Sequence, residues 1–465
     1  MASNGTHAIL PVATQFSASS LTAVSSAPTS TGANAVSVSS EQDANHDSTP
    51  PLSDQGIIIE HPYEVDWSVY RDFSSLATTD GTYFVVDWGQ GGIEAYNPSF
   101  VPHPSNHDQW IVVAQQSLSD EDLKAHRSAQ LACSASFVDS SLVCLEPPIK
   151  LPIRHTLPCE NNDKRGPHDA RVFYGPDMPY ILYGSDSAFS CLGMWLHDAR
   201  TLLPDFDNLT RMDNPFGEPV DVQKPTPPYG ETEKNYFVFW DLERKPYVHT
   251  DLMGGRHEEG VRQFAPLNAD GSVGSDLAPA VAKADSLCMT NYMPRMGIRN
   301  DPDAGFIRYE AIHQASNSLS ITLCKKSDLE CMSKPNNTFI MVVFHHKTFY
   351  SWHAEYHPYI MLFQQSAPFA IHAISQKGIW MHGRTTLTNT TDAKEWRGRD
   401  DLPVAHSEMF FVTNLSWKKH GLMYHGYLDD EVFLGFGIED TRAGGIDVLA
   451  GDLLQDLAYC FEADI

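Results

Sequence analysis

Five times along the chain a short β-branched or aromatic run is followed by a polar turn and a second such run. This repetition is what most limits the folds open to it. The runs stand at Trp110-Ile-Val-Val-Ala, Arg171-Val-Phe-Tyr with Pro179-Tyr-Ile-Leu-Tyr, and Tyr236-Phe-Val-Phe-Trp with Pro246-Tyr-Val-His. They return at Thr338-Phe-Ile-Met-Val-Val-Phe with Tyr359-Ile-Met-Leu-Phe, and at Met409-Phe-Phe-Val-Thr with Val432-Phe-Leu-Gly-Phe. The intervening turns are rich in Gly, Pro, Asp or Lys, which is hairpin chemistry. Helical periodicity is scarce, with Asp120–Ala129 the best candidate. Successive units start about 60–70 residues apart, with one gap near 100 spanning a polar insert around 254–312. Antiparallel units at regular spacing without helices between them predict a sandwich, a barrel or a propeller. A period of this length fits a four-stranded blade plus a loop. The expected fold is therefore all-β, a five-bladed β-propeller, with a large β-sandwich as the alternative.

The first 50 residues hold 26 Ser, Thr or Ala and no Lys or Arg. Such a segment buries too little apolar surface to offset its ordering entropy. Residues 1–55 are thus expected to be a disordered tail or stalk, and 56–465 a single propeller domain. The formal charge of −27 argues against nucleic acid or an anionic membrane as a partner. No stretch approaches the roughly 18 apolar residues of a membrane span. The first basic residue is Arg71, so no charged signal-peptide region is visible, and membrane association is expected only with a targeting segment absent from this sequence.

The cysteines favour an oxidising compartment. There are 8, and Cys133/Cys144 and Cys324/Cys331 lie close together in polar contexts. Five N-x-[ST] acceptors stand at Asn4, Asn208, Asn336, Asn389 and Asn414. The expected location is the secretory pathway (Golgi lumen, cell surface or outside the cell), with the cytoplasm as the alternative.

In a propeller the strand entries bring polar side chains to a central funnel. The polar clusters are Tyr96-Asn97-Pro98-Ser99, Gly166-Pro-His168-Asp169-Ala170-Arg171, and Glu233-Lys234-Asn235-Tyr236. Others are His313 to Asn317, His345-His346-Lys347 with His353-Ala-Glu355-Tyr356-His357, Tyr424 to Asp429-Asp430, and Glu439-Asp440-Thr441-Arg442. Asp169 and Arg171, two apart in an extended segment, should share a face. Adjacent His345 and His346 should point to opposite faces, so a zinc site is not expected. There is no G-x-S-x-G elbow and no phosphate loop, and no cofactor is called for. Carboxylates, imidazoles, amides and aromatics together suit a sugar, and Asp169 is the best-placed acid for glycosyl chemistry.

Four of these clusters, in order, resemble motifs of the five-bladed β-mannoside phosphorylases and related eukaryotic β-1,2-mannosyltransferases, of which the chain looks like a divergent, fungal-type member. Gly166-Pro-His168-Asp169-Ala170-Arg171 resembles their G-x-E-D-P-R entry, Asn97-Pro98 their N-P motif, and Glu233-Lys234-Asn235-Tyr236 their E-K-N-W motif. Tyr424 through Asp440 resembles their last-blade region. The resemblance implies Asp169 as catalytic acid supported by Arg171, and Lys234 reaching a phosphate with His345 or His346 nearby. Asn97, His168, Asn235, His313, Asn317, His346, Tyr356, Tyr424, Asp429, Asp430 and Glu439 complete the expected substrate-binding set. Asp429, Asp430 or Glu439 would activate water in a hydrolase. His168 stands where the family has Glu, and Ala170 where it has Pro. The implied function is inverting transfer of β-linked mannosyl units to a mannose-containing glycan from a sugar-phosphate or sugar-nucleotide donor. Phosphorolysis, hydrolysis and non-catalytic glycan binding are the alternatives.

Overall fold

The computed structural model describes residues 65–89, 93–117, 128–153, 166–206, 209, 215–252, 262–293, 297–301, 306–350, 353–387 and 406–460. Residues 1–55, and the expected helix Asp120–Ala129 up to residue 127, lie outside them. A short strand, β1 (Phe84–Asp87), precedes the first blade, β2 (Ala95–Pro102), β3 (Trp110–Gln116), β4 (Gln130–Val138) and β5 (Ser141–Cys144). The second blade is β6 (His168–Tyr174), β7 (Pro179–Ser185), β8 (Gly193–Asp198) and β9 (Val220–Val222). The third is β10 (Phe237–Trp240), β11 (Pro246–Asp251) and β12 (Gln263–Pro266), followed by the helix α1 (Ala282–Tyr292). The fourth is β13 (Phe306–Thr322), β14 (Thr338–Tyr350), β15 (His353–Gln364) and β16 (Ile371–Ser375). The fifth is β17 (Phe410–Trp417), β18 (Glu431–Ile438) and β19 (Arg442–Leu449). Its fourth strand is β1, which pairs antiparallel with β19 and thereby ties the two ends of the domain together.

The apolar runs are continuous because both faces of each blade are buried against a neighbour. In β14, Ile340, Val342 and Phe344 face the core shared with the second and third blades. Phe339, Met341 and Val343, one residue out of step, face the core shared with the fifth.

The inner strands are polar for a different reason: there side chains link one blade to the next, while at the outer edge β1 also pairs in parallel with β5 and joins the fifth and first blades in one sheet. The Val172 N–H donates to Ser99 Oγ at 2.9 Å, linking β2 to β6. Arg171 Nη2 donates to Asn235 Oδ1 at 2.6 Å, linking β6 to the segment just before β10. Ser318 Oγ donates to Val238 O at 2.7 Å, linking β13 to β10. Asn317 clamps Leu415 of β17 through its N–H and C=O, both at 2.9 Å. Thr413 Oγ1 donates to Pro98 O, and Phe100 N–H to Asn414 Oδ1, which returns the ring to β2. The result is a closed ring of five.

Three expectations need correction. The region around 254–312 is not a plain polar insert. Its described part holds β12, α1 and the first residues of β13. Asn317 is no substrate ligand, because its amide is used up in the clamp on β17 and it is fully buried. Nor is Asn414 an available glycan acceptor: it is buried in the same ring, whereas Asn336 is exposed.

Cys133–Cys144 and Cys324–Cys331 are disulfide-bonded, as is Cys288–Cys460, which the sequence did not suggest. Among the described residues no helix is long and apolar enough to cross a membrane.

Candidate active site

The entries to the inner strands share one backbone device. Asn97, Asp169 and Asn235 all have left-handed φ, at 52°, 47° and 62°. Asn and Asp tolerate this region better than other residues with a Cβ. In β2 and β6 the pairing register also slips there, between Tyr96 and Ser99 and between His168 and Arg171. The local twist turns Asn97, Asp169 and Asn235 into one cavity of about 330 Å3 at the mouth of the ring. His168, Lys234, His313 and Tyr356 join them there, so seven residues singled out in the sequence meet around one space. Tyr96, Leu192, Met409, Phe411 and Asp440 complete the lining.

Asp169 is positioned from two sides. Asn97 Nδ2 donates to its Oδ1 at 2.8 Å, and its own N–H donates to Gln115 Oε1 at 3.1 Å. Gln115 Oε1 in turn accepts from Gln130 Nε2, buried beneath the cavity. This leaves Oδ2 for substrate. Tyr96 and Tyr356 are pushed up, first by burial and then by the charges of Asp169 and Asp440. Both carboxylates therefore lie close to both phenols, which stay protonated and can donate to sugar oxygens.

Arg171 does not share a face with Asp169, because the register slip breaks the alternation. Its guanidinium runs sideways under the cavity to Asn235 Oδ1 and, at 3.5 Å, Tyr236 O. Burial pulls it down to about 10, opposed by the nearby Asp169 charge. Because arginine can only donate, Asn235 must present Oδ1 to it and Nδ2 to His313 Nε2, 3.3 Å away. His313 is thus neutral with its proton on Nδ1. It is held well below its usual value by burial and then by Lys347, Lys234 and Arg171.

Buried polar atoms without a hydrogen-bond partner occur here as they do elsewhere in the domain, for example at Arg262 Nη2, His357 Nδ1 and Arg384 Nη1. Among the described residues, buried Asn97 Oδ1, Arg171 Nε and His313 Nδ1 have no hydrogen-bond partner. Buried polar atoms are normally paired, and of these three the ones on lining residues, Asn97 Oδ1 and His313 Nδ1, are those a ligand in the cavity could partner. Lys234 also lacks a partner among the described residues, since Glu233 is occupied by Lys224 Nζ, the Gly230 N–H and the Tyr236 hydroxyl. Lys234 is exposed at the rim rather than buried, so desolvation does not force an anion upon it.

The remaining expected residues lie elsewhere. Tyr424 sits at the opposite end of the ring, its hydroxyl against Ser318 Oγ and the Trp240 N–H. Asp429 and Asp430 precede β18 at that same far end, because β18 runs from there toward the cavity. They accept from the backbone of Lys326, Ser327 and Tyr427. Glu439 reaches the cavity end but is buried behind its wall, accepting from the Met409 N–H and meeting His353 Nε2 at 3.2 Å. It is the next residue, Asp440, that lines the space. His346 faces Glu310 at 4.0 Å on the side of β14 away from His345. His345 Nε2 accepts the Val412 N–H, so that ring backs the wall formed by Tyr356 and Phe411.

Two grooves at the far end hold about 340 and 440 Å3, as much space or more. In the larger, Ser320, Gln365, Thr338 and His425 bond to one another, to Thr322 or to the Trp240 carbonyl. The cavity at the cavity-end mouth is the one whose polar groups are left open.

Gly437 offers a test of the Asn97–Asp169 contact. A Cβ there would meet Asn97 Oδ1 at 2.0 Å. Gly437→Ala should displace Asn97, lower turnover at least tenfold and cost about 1–3 kcal/mol of stability from overpacking. Wild-type kcat in the folded variant would show that this contact does not position Asp169.

No family model and no curated protein matches the chain. Solved structures with a similar strand arrangement include a β-1,2-mannobiose phosphorylase from Listeria innocua in complex with β-1,2-mannobiose, at 13% identity and TM-score 0.40, covering 81% of this chain and 93% of that one. A thermostable family-43 glycoside hydrolase aligns at 10% identity and TM-score 0.31, covering 81% and 93%. An endo-arabinase from Bacteroides thetaiotaomicron aligns at 9% identity and TM-score 0.36, covering 82% and 99%. All three TM-scores lie below 0.5, too distant a likeness to carry an inference about this chain.

Proposed function

We propose that the cavity is the active site of an inverting glycoside-active enzyme that moves a mannosyl unit between a glycan hydroxyl and phosphate. The supporting observation is that one space holds Asp169 and Asp440 together with Lys234, and has Arg171 and Lys347 close enough to act on His313. Carboxylates suit sugar hydroxyls and an acid role; cations suit phosphate. In phosphorolysis a phosphate oxygen bonds to the anomeric carbon as the glycosidic bond breaks. Asp169 gives its proton to the leaving oxygen, directly or through a sugar hydroxyl, and regains one from the hydrogen phosphate. The reverse direction adds a mannosyl unit to a glycan from the sugar phosphate. A space of about 330 Å3 favours a sugar and a phosphate over a sugar nucleotide. We further propose an oxidising compartment, supported by the three disulfides among the described residues.

The test is incubation of the protein with β-1,2-mannobiose and phosphate, read by mass. Mannose 1-phosphate supports the proposal; free mannose released without phosphate makes the protein a hydrolase. No product in either direction, including from mannose 1-phosphate with mannose as acceptor, overturns it. Phosphate should also raise the wild-type Tm by a few degrees, since a ligand at 100 times its Kd adds about 2.7 kcal/mol. The Lys234→Ala variant should lose most of that rise. Equal shifts in the two proteins would remove Lys234 from the phosphate site.

A further inference from the structure

Close along the chain to Leu192 and Lys234 of the cavity lies an aromatic pair that this reaction does not use. Phe189 and Tyr229 stack with ring centroids 5.3 Å apart and planes inclined by 22°, and Phe189 is 40% exposed. Both rings are held in place. The Phe189 N–H donates to Ser187 Oγ, which itself binds the Asp221 carboxylate, as does the Ala188 N–H. The Tyr229 hydroxyl accepts the Lys224 N–H, and the Lys224 ammonium lies 5.3 Å from the Tyr229 ring centre while pairing with Glu233.

The two loops are joined to each other and to the cavity. Leu192 N–H donates to Glu231 O and Glu233 N–H to Leu192 O, at 3.2 and 2.7 Å. Leu192 and Lys234, at the ends of these loops, line the cavity. Three residues span at most about 11 Å, so Phe189 lies within a few sugar lengths of the space that holds Asp169.

We propose that Phe189 and Tyr229 form a distal sugar subsite, and that a neutral glycan chain of three or more units is a better substrate than a disaccharide. This rests on the proposal that the cavity acts on glycans. A pre-set, half-exposed ring offers a flat apolar face for a pyranose ring at little conformational cost. A net charge of −27 disfavours an anionic chain.

The experiment compares kcat/KM for β-linked manno-oligosaccharides of two to six units. In the wild type it should rise about tenfold with length. Phe189→Ala should lose most of that rise, and Phe189→Trp should retain it. A length dependence identical in Phe189→Ala and wild type overturns the subsite. Calorimetry on the Asp169→Asn variant reads the same contact without turnover. There the hexamer should bind more tightly than the dimer, and adding Phe189→Ala should weaken the hexamer about tenfold. Length-dependent binding that needs Phe189, without turnover of any mannoside, would sink the catalytic proposal and leave the subsite standing. A hexamer that binds no tighter than the dimer would sink the subsite whatever the activity.

Discussion

Asp169→Asn should lower turnover by roughly 10²–10⁴ while leaving melting temperature and glycan binding close to wild type. The amide keeps the volume of the carboxyl and can still accept from Asn97 Nδ2, so the 2.8 Å contact and the local left-handed backbone survive. What is lost is the proton delivered to the leaving oxygen. Asn97 Nδ2 occupies Oδ1, so the transferred proton must travel through Oδ2, directly or by way of a bridging sugar hydroxyl. Turnover measured on the best oligosaccharide decides the matter. An Asp169→Asn protein with wild-type kcat would remove Asp169 from the chemistry and shift attention to Asp440 across the same cavity.

The blades announced themselves in the sequence where both faces are buried. Ile340 to Phe344 and Phe237 to Trp240 read as strands because neighbouring blades take alternate side chains, leaving unbroken apolar runs. The inner strands of the first and fourth blades, Ala95–Pro102 and Phe306–Thr322, read as polar clusters instead. Their Ser99, Asn317 and Ser318 bind a neighbouring blade's backbone, a long-range role without periodicity. The closing strand Phe84–Asp87 was invisible for a similar reason, since its antiparallel partner lies some 360 residues on. At the site, Asn97, Asp169 and Asn235 were legible as polar residues at strand entries, and left-handed φ is what turns them inward. Asp440 rather than Glu439 faces the cavity, and two adjacent acids in a turn give no hint of which one does. Asp429 and Asp430 were misplaced because proximity in sequence to the last blade says nothing about which end of a strand they occupy.

Acid should destabilise the fold steeply below pH 6.5. His249, His313, His345 and His357 are all held below their usual value, chiefly by burial, with His357 down to about 3. For His249 the hydrogen bonds show why. Arg262 Nε donates to its Nε2 at 3.1 Å, and its Nδ1 meets Gln314 Oε1 at 2.7 Å. A second proton would set two donors face to face beside a buried guanidinium. His345 is fixed likewise, with Nε2 accepting the Val412 N–H. Because the folded state keeps these imidazoles neutral, their contribution is fully present above the unfolded value of about 6.5 and fades as pH falls beneath it. Each group that binds a proton only on unfolding lowers stability by about 1.4 kcal/mol per pH unit. Four together approach about 5 kcal/mol per unit well below pH 6, a large share of the roughly 5–15 kcal/mol that holds a domain. Ordinary carboxylates titrate mostly below pH 5, so the interval from 6.5 to 5 isolates the imidazoles. Urea midpoints across that interval should fall steadily, with proton uptake on unfolding of at least about four by pH 5, since His197, His372 and His425 are also held below their usual value by burial. His249→Gln should flatten the slope by about one proton if it folds, and the uptake measured on wild type stands on its own if it does not. A midpoint unchanged from pH 7 to 5 would mean that these imidazoles take up protons in the folded state, and that their burial costs the fold nothing in acid.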